Sequence, residues 1–112
     1  MCQPKLLYVT APSMESAKSL ASTLVEKRAA ACVNILPKMH SIYRWKDNIE
    51  TAEECVLIVK TVAAKTEAVR DMIIAAHPYE TPCVIELSAD GPGTNTAFAE
   101  WIAECVEPGK KE

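Results

Sequence analysis

The stretch AACVNILPKMHSIYRWKDNIETAEECVLIVKTV, Ala30 to Val62, decides how this chain folds. Its first half, through Trp45, is rich in β-branched and aromatic residues and reads as one long extended segment. Pro37 lies inside it; proline cannot donate to a sheet ladder, so it marks an edge strand or a bulge. Lys46, Asp47 and Asn48 supply turn chemistry, and IETAEECVLIVKTV, Ile49 to Val62, resumes as a second long strand. The two form a hairpin whose arms, about 14 residues each at roughly 3.3 Å per residue, would each span about 45 Å.

Working outward, KLLYVTA (Lys5–Ala11) is a short strand closed by Ala-Pro-Ser. Ser13 can cap a helix with Glu15 in its first turn, and Ala17, Leu20, Ala21, Leu24 and Val25 recur at helical spacing on one face. Beyond the hairpin, Val69, Met72, Ile73 and Ala76 define a second amphipathic helix, and CVIELSA (Cys83–Ala89) a last strand. The turn DGPGTNT leads to a short helix on which Phe98, Trp101, Ile102 and Cys105 share a face, and EPGKKE is a solvated tail. The order β-α-β-β-α-β plus a final helix predicts an α+β, ferredoxin-like sandwich: two helices on one face of a four-stranded antiparallel sheet, with a long central hairpin. All of it fits one domain, residues 1–112.

The hairpin arms are about twice as long as the other two strands, and their excess needs a partner. A long free edge carrying Ile42, Tyr43 and Trp45 invites aggregation, so partner subunits are expected to cover it. A hairpin curling over its own domain is the alternative.

Composition bounds the function. At 112 residues, 49% hydrophobic and 24% charged, the chain can build one core of its own. No apolar run approaches a membrane span, and the first residues, MCQPKLLYVTAPS, lack the pattern of a signal peptide, so the expected compartment is cytoplasmic, with no membrane partner. A net charge of −3 without a basic stripe argues against nucleic acid. The five cysteines form no Cys-x-x-Cys pair; reduced thiols are expected, with Cys55, Cys83 and Cys105 as small core residues and Cys2 a terminal thiol.

One turn carries more chemistry than a connection needs: HPYETP, His77 to Pro82. Pro78 and Pro82 restrict themselves and the residues before them, so the side chains between are held stiffly. An imidazole, a phenol and a carboxylate at His77, Tyr79 and Glu80 suit either a borderline metal or a hydrogen-bonding wall for a small ligand. The purely architectural alternative has His77 as an imidazolium at a helix C-terminus and Tyr79 packed across a subunit boundary.

AACVNILPKMHSIYRWKDNI, EECVLIVKT, HPYETPCVIEL and EWI, in that order and spacing, resemble the CutA family, the divalent-cation tolerance proteins, along nearly the whole chain. The resemblance implies a tight homotrimer of ferredoxin-like protomers, hairpins paired across subunit boundaries and clefts between protomers. It also implies a role in tolerance of copper and other divalent ions. The copper ligands proposed for one bacterial branch are a strand cysteine and two adjacent histidines; here Val9 and Ala76 stand at two of those positions and only His77 remains. A replacement metal set is His77 with Cys32 and Glu80, sulfur and nitrogen donors suiting copper(II), and zinc after it. Cys32, Trp45, Glu54, Lys60 and Thr61 match positions characteristic of the family and, with Tyr79, are expected to line an intersubunit cleft. Ion pairing at the strand surface and an interface anchor at Trp45 are the plainer roles for the same residues. His40 reads as a surface histidine on the hairpin.

No Gly-rich phosphate loop, HExxH or Gly-x-Ser-x-Gly is present, and all three glycines follow residue 90, so an enzyme is not expected. A Cys32–His77 nucleophilic pair would need contact between the two. Two functions are expected in turn: a homotrimeric divalent-metal, copper-binding protein of metal-ion tolerance, or a signalling or scaffold trimer that binds a small metabolite in its clefts.

Overall fold

The computed structural model describes residues 3–107; Cys2 and residues 108–112 of the expected tail lie outside the described residues. The elements are β1 (Pro4–Ala11), α1 (Met14–Glu26), β2 (Cys32–Trp45), β3 (Asn48–Val62), a 3-10 turn (Ala63–Lys65), α2 (Thr66–Ala76), β4 (Val84–Ser88) and α3 (Thr96–Cys105). They form a mixed α+β domain on one antiparallel sheet of order β2-β3-β1-β4.

The hairpin is set by two local devices. Lys46 and Asp47 both adopt left-handed backbone, φ 50° and 69°, the geometry of a two-residue turn whose twist matches the strands it joins. Register then runs from Trp45↔Asn48 to Met39↔Glu54, shifts across Pro37 and Lys38, and resumes from Leu36↔Val56 to Cys32↔Lys60. Lys38 takes φ 63° at this bulge. β2 is an edge strand, so the amide that Pro37 lacks is not missed by any neighbour.

β1 pairs only with residues Cys55–Val62 of β3, so Asn48–Glu54 pairs with β2 alone and the hairpin leaves the sheet as a two-stranded ribbon. It gives the molecule a long axis of 48 Å against 29 and 22 Å.

The sheet's inner face is apolar: Leu7, Val9 and Ala11 from β1, with Cys55, Leu57 and Val59 from β3, are buried against Ala17, Leu20 and Leu24 of α1 and Val69 and Ile73 of α2. α1 begins where Ser13 Oγ accepts from the Ser16 amide at 3.1 Å. It ends in a Schellman motif: Arg28 is left-handed, φ 58°, while the Ala29 amide reaches the Leu24 carbonyl and the Arg28 amide that of Val25. A glycine would fit there more cheaply, but the Arg28 guanidinium donates to the Cys105 carbonyl at 3.0 Å and ties α3 to the end of α1.

Three helical faces differ from the spacing-based expectation. Val25 and Ala76 are exposed although Leu24 and His77 beside them are buried, so each lies at the margin of its helix's covered face. On α3 the buried residues are Ala99 and Ile102, the latter packed with Ala31 and Val106, while Phe98 and Trp101 stay 42% exposed. Of the cysteines expected inside, Cys55 is buried and Cys83 and Cys105 are half-buried; all four described cysteines are free thiols.

Candidate functional site

An open cleft of about 620 Å³ lies where the ribbon leaves the sheet, lined by Thr10, Tyr43, Trp45, Glu50, Glu54, Tyr79, Glu80, Thr81 and Cys83. One wall follows from strand periodicity. Tyr43 stands opposite Glu50, Trp45 opposite Asn48 and Met39 opposite Glu54, so the alternate residues Tyr43, Trp45, Glu50 and Glu54 share one face of the ribbon. The other wall is the stiff turn after α2, which passes the C-terminal end of β1 on its way to β4.

His77 fixes that turn. Its Nδ1 accepts the Tyr79 amide at 3.1 Å, which leaves the ring proton on Nε2, 2.7 Å from the Thr10 carbonyl that it meets as donor. The ring is buried, 8% exposed, and lies 4.8 Å from the Tyr79 ring. It is thus a neutral strut between α2 and β1. Neither the imidazolium cap considered from sequence nor a ring nitrogen free for a metal is present.

Tyr79 and Glu54 join the two walls. The Tyr79 hydroxyl donates to Glu54 Oε2 at 2.8 Å, and the Ser41 hydroxyl to Oε1 at 2.7 Å. Burial, then the hydrogen bond to Glu54 and its charge, push the Tyr79 phenol up to about 12. The Cys83 thiol is also raised, by burial first and the Glu54 charge second, with the Thr10 hydroxyl acting the other way. Both groups stay protonated at neutral pH. The Lys46 ammonium stands 5.7 Å from the Trp45 ring centroid.

The structure therefore brings Trp45, Glu54, Tyr79 and Glu80 to one cleft and leaves the other expected residues out of it. Cys32 pairs with Lys60, six residues along β3 from Glu54, about 20 Å at roughly 3.3 Å per residue. Lys60 lies over Phe98, 5.3 Å from the ring centroid. Thr61 is fully buried and donates to the Ala29 carbonyl at 2.7 Å, a structural role. Within one chain the set His77, Cys32 and Glu80 does not fit a copper(II) ion: Cys32 is at the far end of the sheet and His77 has both nitrogens engaged. Among the described residues no group of three His, Cys, Asp or Glu is placed to hold a metal. A Cys32–His77 nucleophilic pair is absent for the same reason.

Tyr43, Glu50, Thr10, Thr81 and Cys83 are lining residues that the sequence reading did not select. For Tyr43 and Glu50 a signal existed: once the hairpin turn is placed, alternation puts them on the face of Trp45 and Glu54. Thr10, Thr81 and Cys83 arrive through the tertiary path of the turn, which spacing does not encode.

The family model described as CutA1 divalent ion tolerance protein matches residues 5–105. The divalent-cation tolerance protein CutA of Archaeoglobus fulgidus is 45% identical over 101 residues, 90% of this chain and 96% of that protein. Protein CutA of Homo sapiens is 38% identical over 100 residues; the match covers 89% of this chain but only 55% of the human protein. Among solved structures, the divalent ion tolerance protein CutA1 from Ehrlichia chaffeensis superposes with a TM-score of 0.88 at 34% identity, covering 96% of this chain and 98% of that one.

Proposed function

The chain belongs to the CutA1 divalent ion tolerance protein family, and from that premise we propose that it serves divalent-cation tolerance as a homotrimer that acts by binding rather than by catalysis. The observation that carries the reading is the cleft at the root of the ribbon, where Tyr79 and Glu54 hold two independent elements together around an open volume. The trimer is supported by what a lone chain leaves uncovered: a two-stranded ribbon with Ile42 at 75% and Ile49 at 61% exposure, and an outer sheet face carrying Ile85 and Leu87.

A divalent cation needs donors from more than one subunit in this reading, since the described residues of one chain bring too few together. Copper(II), with zinc(II) second, is assigned to the subunit boundary, with Glu54 and Glu80 supplying oxygens from the cleft. A chelator-competition titration of Cu(II) and Zn(II) tests this. Binding near one ion per subunit, lost in the Glu54→Gln/Glu80→Gln double variant and kept in His77→Gln, is the expected result. No binding to the wild type removes direct metal handling.

A second reading is favoured by the cleft's size and lining, which suit an organic molecule better than a bare ion. Three aromatic side chains, Tyr43, Trp45 and Tyr79, face about 620 Å³ of space. In this reading the trimer senses a small metabolite, and its binding survives a chelator.

A further inference from the structure

The charged residues that line the cleft are all of one sign, and the Lys46 ammonium stands outside that lining beside the Trp45 ring. Glu50, Glu54 and Glu80 line it, and among the described lining residues there is no lysine, arginine or histidine. The Tyr79 phenol and Cys83 thiol are held protonated, so neither adds to that charge at neutral pH nor acts as a strong nucleophile or thiolate ligand. Both Glu54 oxygens are already accepting, from Ser41 and Tyr79, which fixes the carboxylate in place beside the aromatic rings.

Fixed carboxylates interleaved with aromatic faces are the chemistry that recognises a cation with an apolar body. The ring quadrupoles attract positive charge at their faces, and the carboxylates compensate it. The protein itself supplies an instance: the Lys46 ammonium rests 5.7 Å from the Trp45 centroid, within the roughly 6 Å reach of a cation–π contact. The same field repels phosphates and carboxylates, with no cationic side chain in the lining to receive them. The volume lies inside the range of about 300–1,000 Å³ usual for small-molecule sites.

We infer that this cleft is a binding site for an organic ammonium, a protonated or quaternary amine of metabolite size, with Trp45, Tyr43 and Tyr79 as its aromatic wall and Glu50 and Glu54 as its counter-charge. The inference rests on the small-ligand reading of the cleft and adds the ligand's charge and class. Nucleotides and other anionic metabolites are excluded from the site by it.

The test is a set of titrations of the full protein followed by NMR, reading the Trp45 indole N–H and the Glu50, Glu54 and Tyr79 amides. The probes are choline and tyramine, their uncharged counterparts 3,3-dimethylbutan-1-ol and 4-ethylphenol, and ATP. Choline or tyramine is expected to shift these resonances and to bind at least about tenfold more tightly than its neutral counterpart, as a desolvated cation–π contact reinforced by a carboxylate requires. ATP is expected to leave them unmoved. Glu50→Gln, a change on the exposed ribbon that leaves the Tyr79–Glu54 bond intact, is expected to weaken cation binding several-fold without altering the fold's dispersion. Equal binding of a neutral counterpart, or binding of ATP at the same resonances, overturns the cation class while leaving the cleft as a site. If no probe moves any cleft resonance, both this inference and the small-ligand reading fall.

Discussion

At the scale of single residues, the least visible position is Thr61. It carries a family-like signature in sequence, yet its hydroxyl is spent on the Ala29 carbonyl inside the core. Thr61→Val removes the donor and strands that carbonyl, so a loss of about 1–3 kcal/mol is expected in urea unfolding at fixed protein concentration. Tyr79 gives a pH signature instead. Its folded pKa, about 12, lies above the value of 10.0 from which it is raised. Its contribution to stability is therefore fully present below pH 10 and disappears as pH rises toward 12, because the unfolded chain releases the proton first. An ultraviolet tyrosinate titration of the native protein should show one of its three tyrosines ionising late, and Tyr79→Phe should abolish that component. The stiff turn was legible at this scale as a place where polar groups are presented. What His77 does there was not, since the strut depends on the Thr10 carbonyl, 67 residues away in sequence.

At the scale of elements, the sequence speaks most clearly where periodicity and turn chemistry agree. Pro37 announces the bulge, Lys46-Asp47 the turn, and Ser13 the start of α1, and each is a local fact of backbone chemistry. Helix faces are less legible, because spacing tells which residues align but not how wide a strip of each helix its neighbours cover. Val25 and Ala76 are aligned and yet stand in solvent. The turn itself is not optimised: Asp47 sits at φ 69°. Asp47→Gly should relieve that conformation and raise stability by about 0.5–1 kcal/mol, visible as a higher melting temperature. Cys32, Lys60 and Thr61 belong to the base of the hairpin and Trp45 and Glu54 to its outer half. A cleft that gathers all five would therefore draw the two groups from different subunits, since within one chain they lie at opposite ends of the long strands.

At the scale of the whole molecule, a single chain leaves the ribbon edge and the outer sheet face open, including Ile85 and Leu87 at 52% and 45% exposure. Light scattering is expected to return three times 12.2 kDa, and a paired change of Ile85→Lys and Leu87→Glu to shift the population toward 12.2 kDa. A mass of 12.2 kDa for the wild type would instead assign the long hairpin to the monomer's own economy.

The ribbon from Met39 to Glu54 has a further consequence, one of time rather than shape. Beyond Cys55 it receives no third strand from the described residues of its own chain, and a lone two-stranded hairpin is at best marginally stable in water. Its amides would then trade protons with solvent almost freely in a solitary subunit, while those of Leu57 and Val59 wait for global unfolding. Deuterium uptake at the ribbon thus becomes a clock for the lifetime of whatever lies alongside it, and the one segment of the chain that reports its neighbours while the core reports only itself.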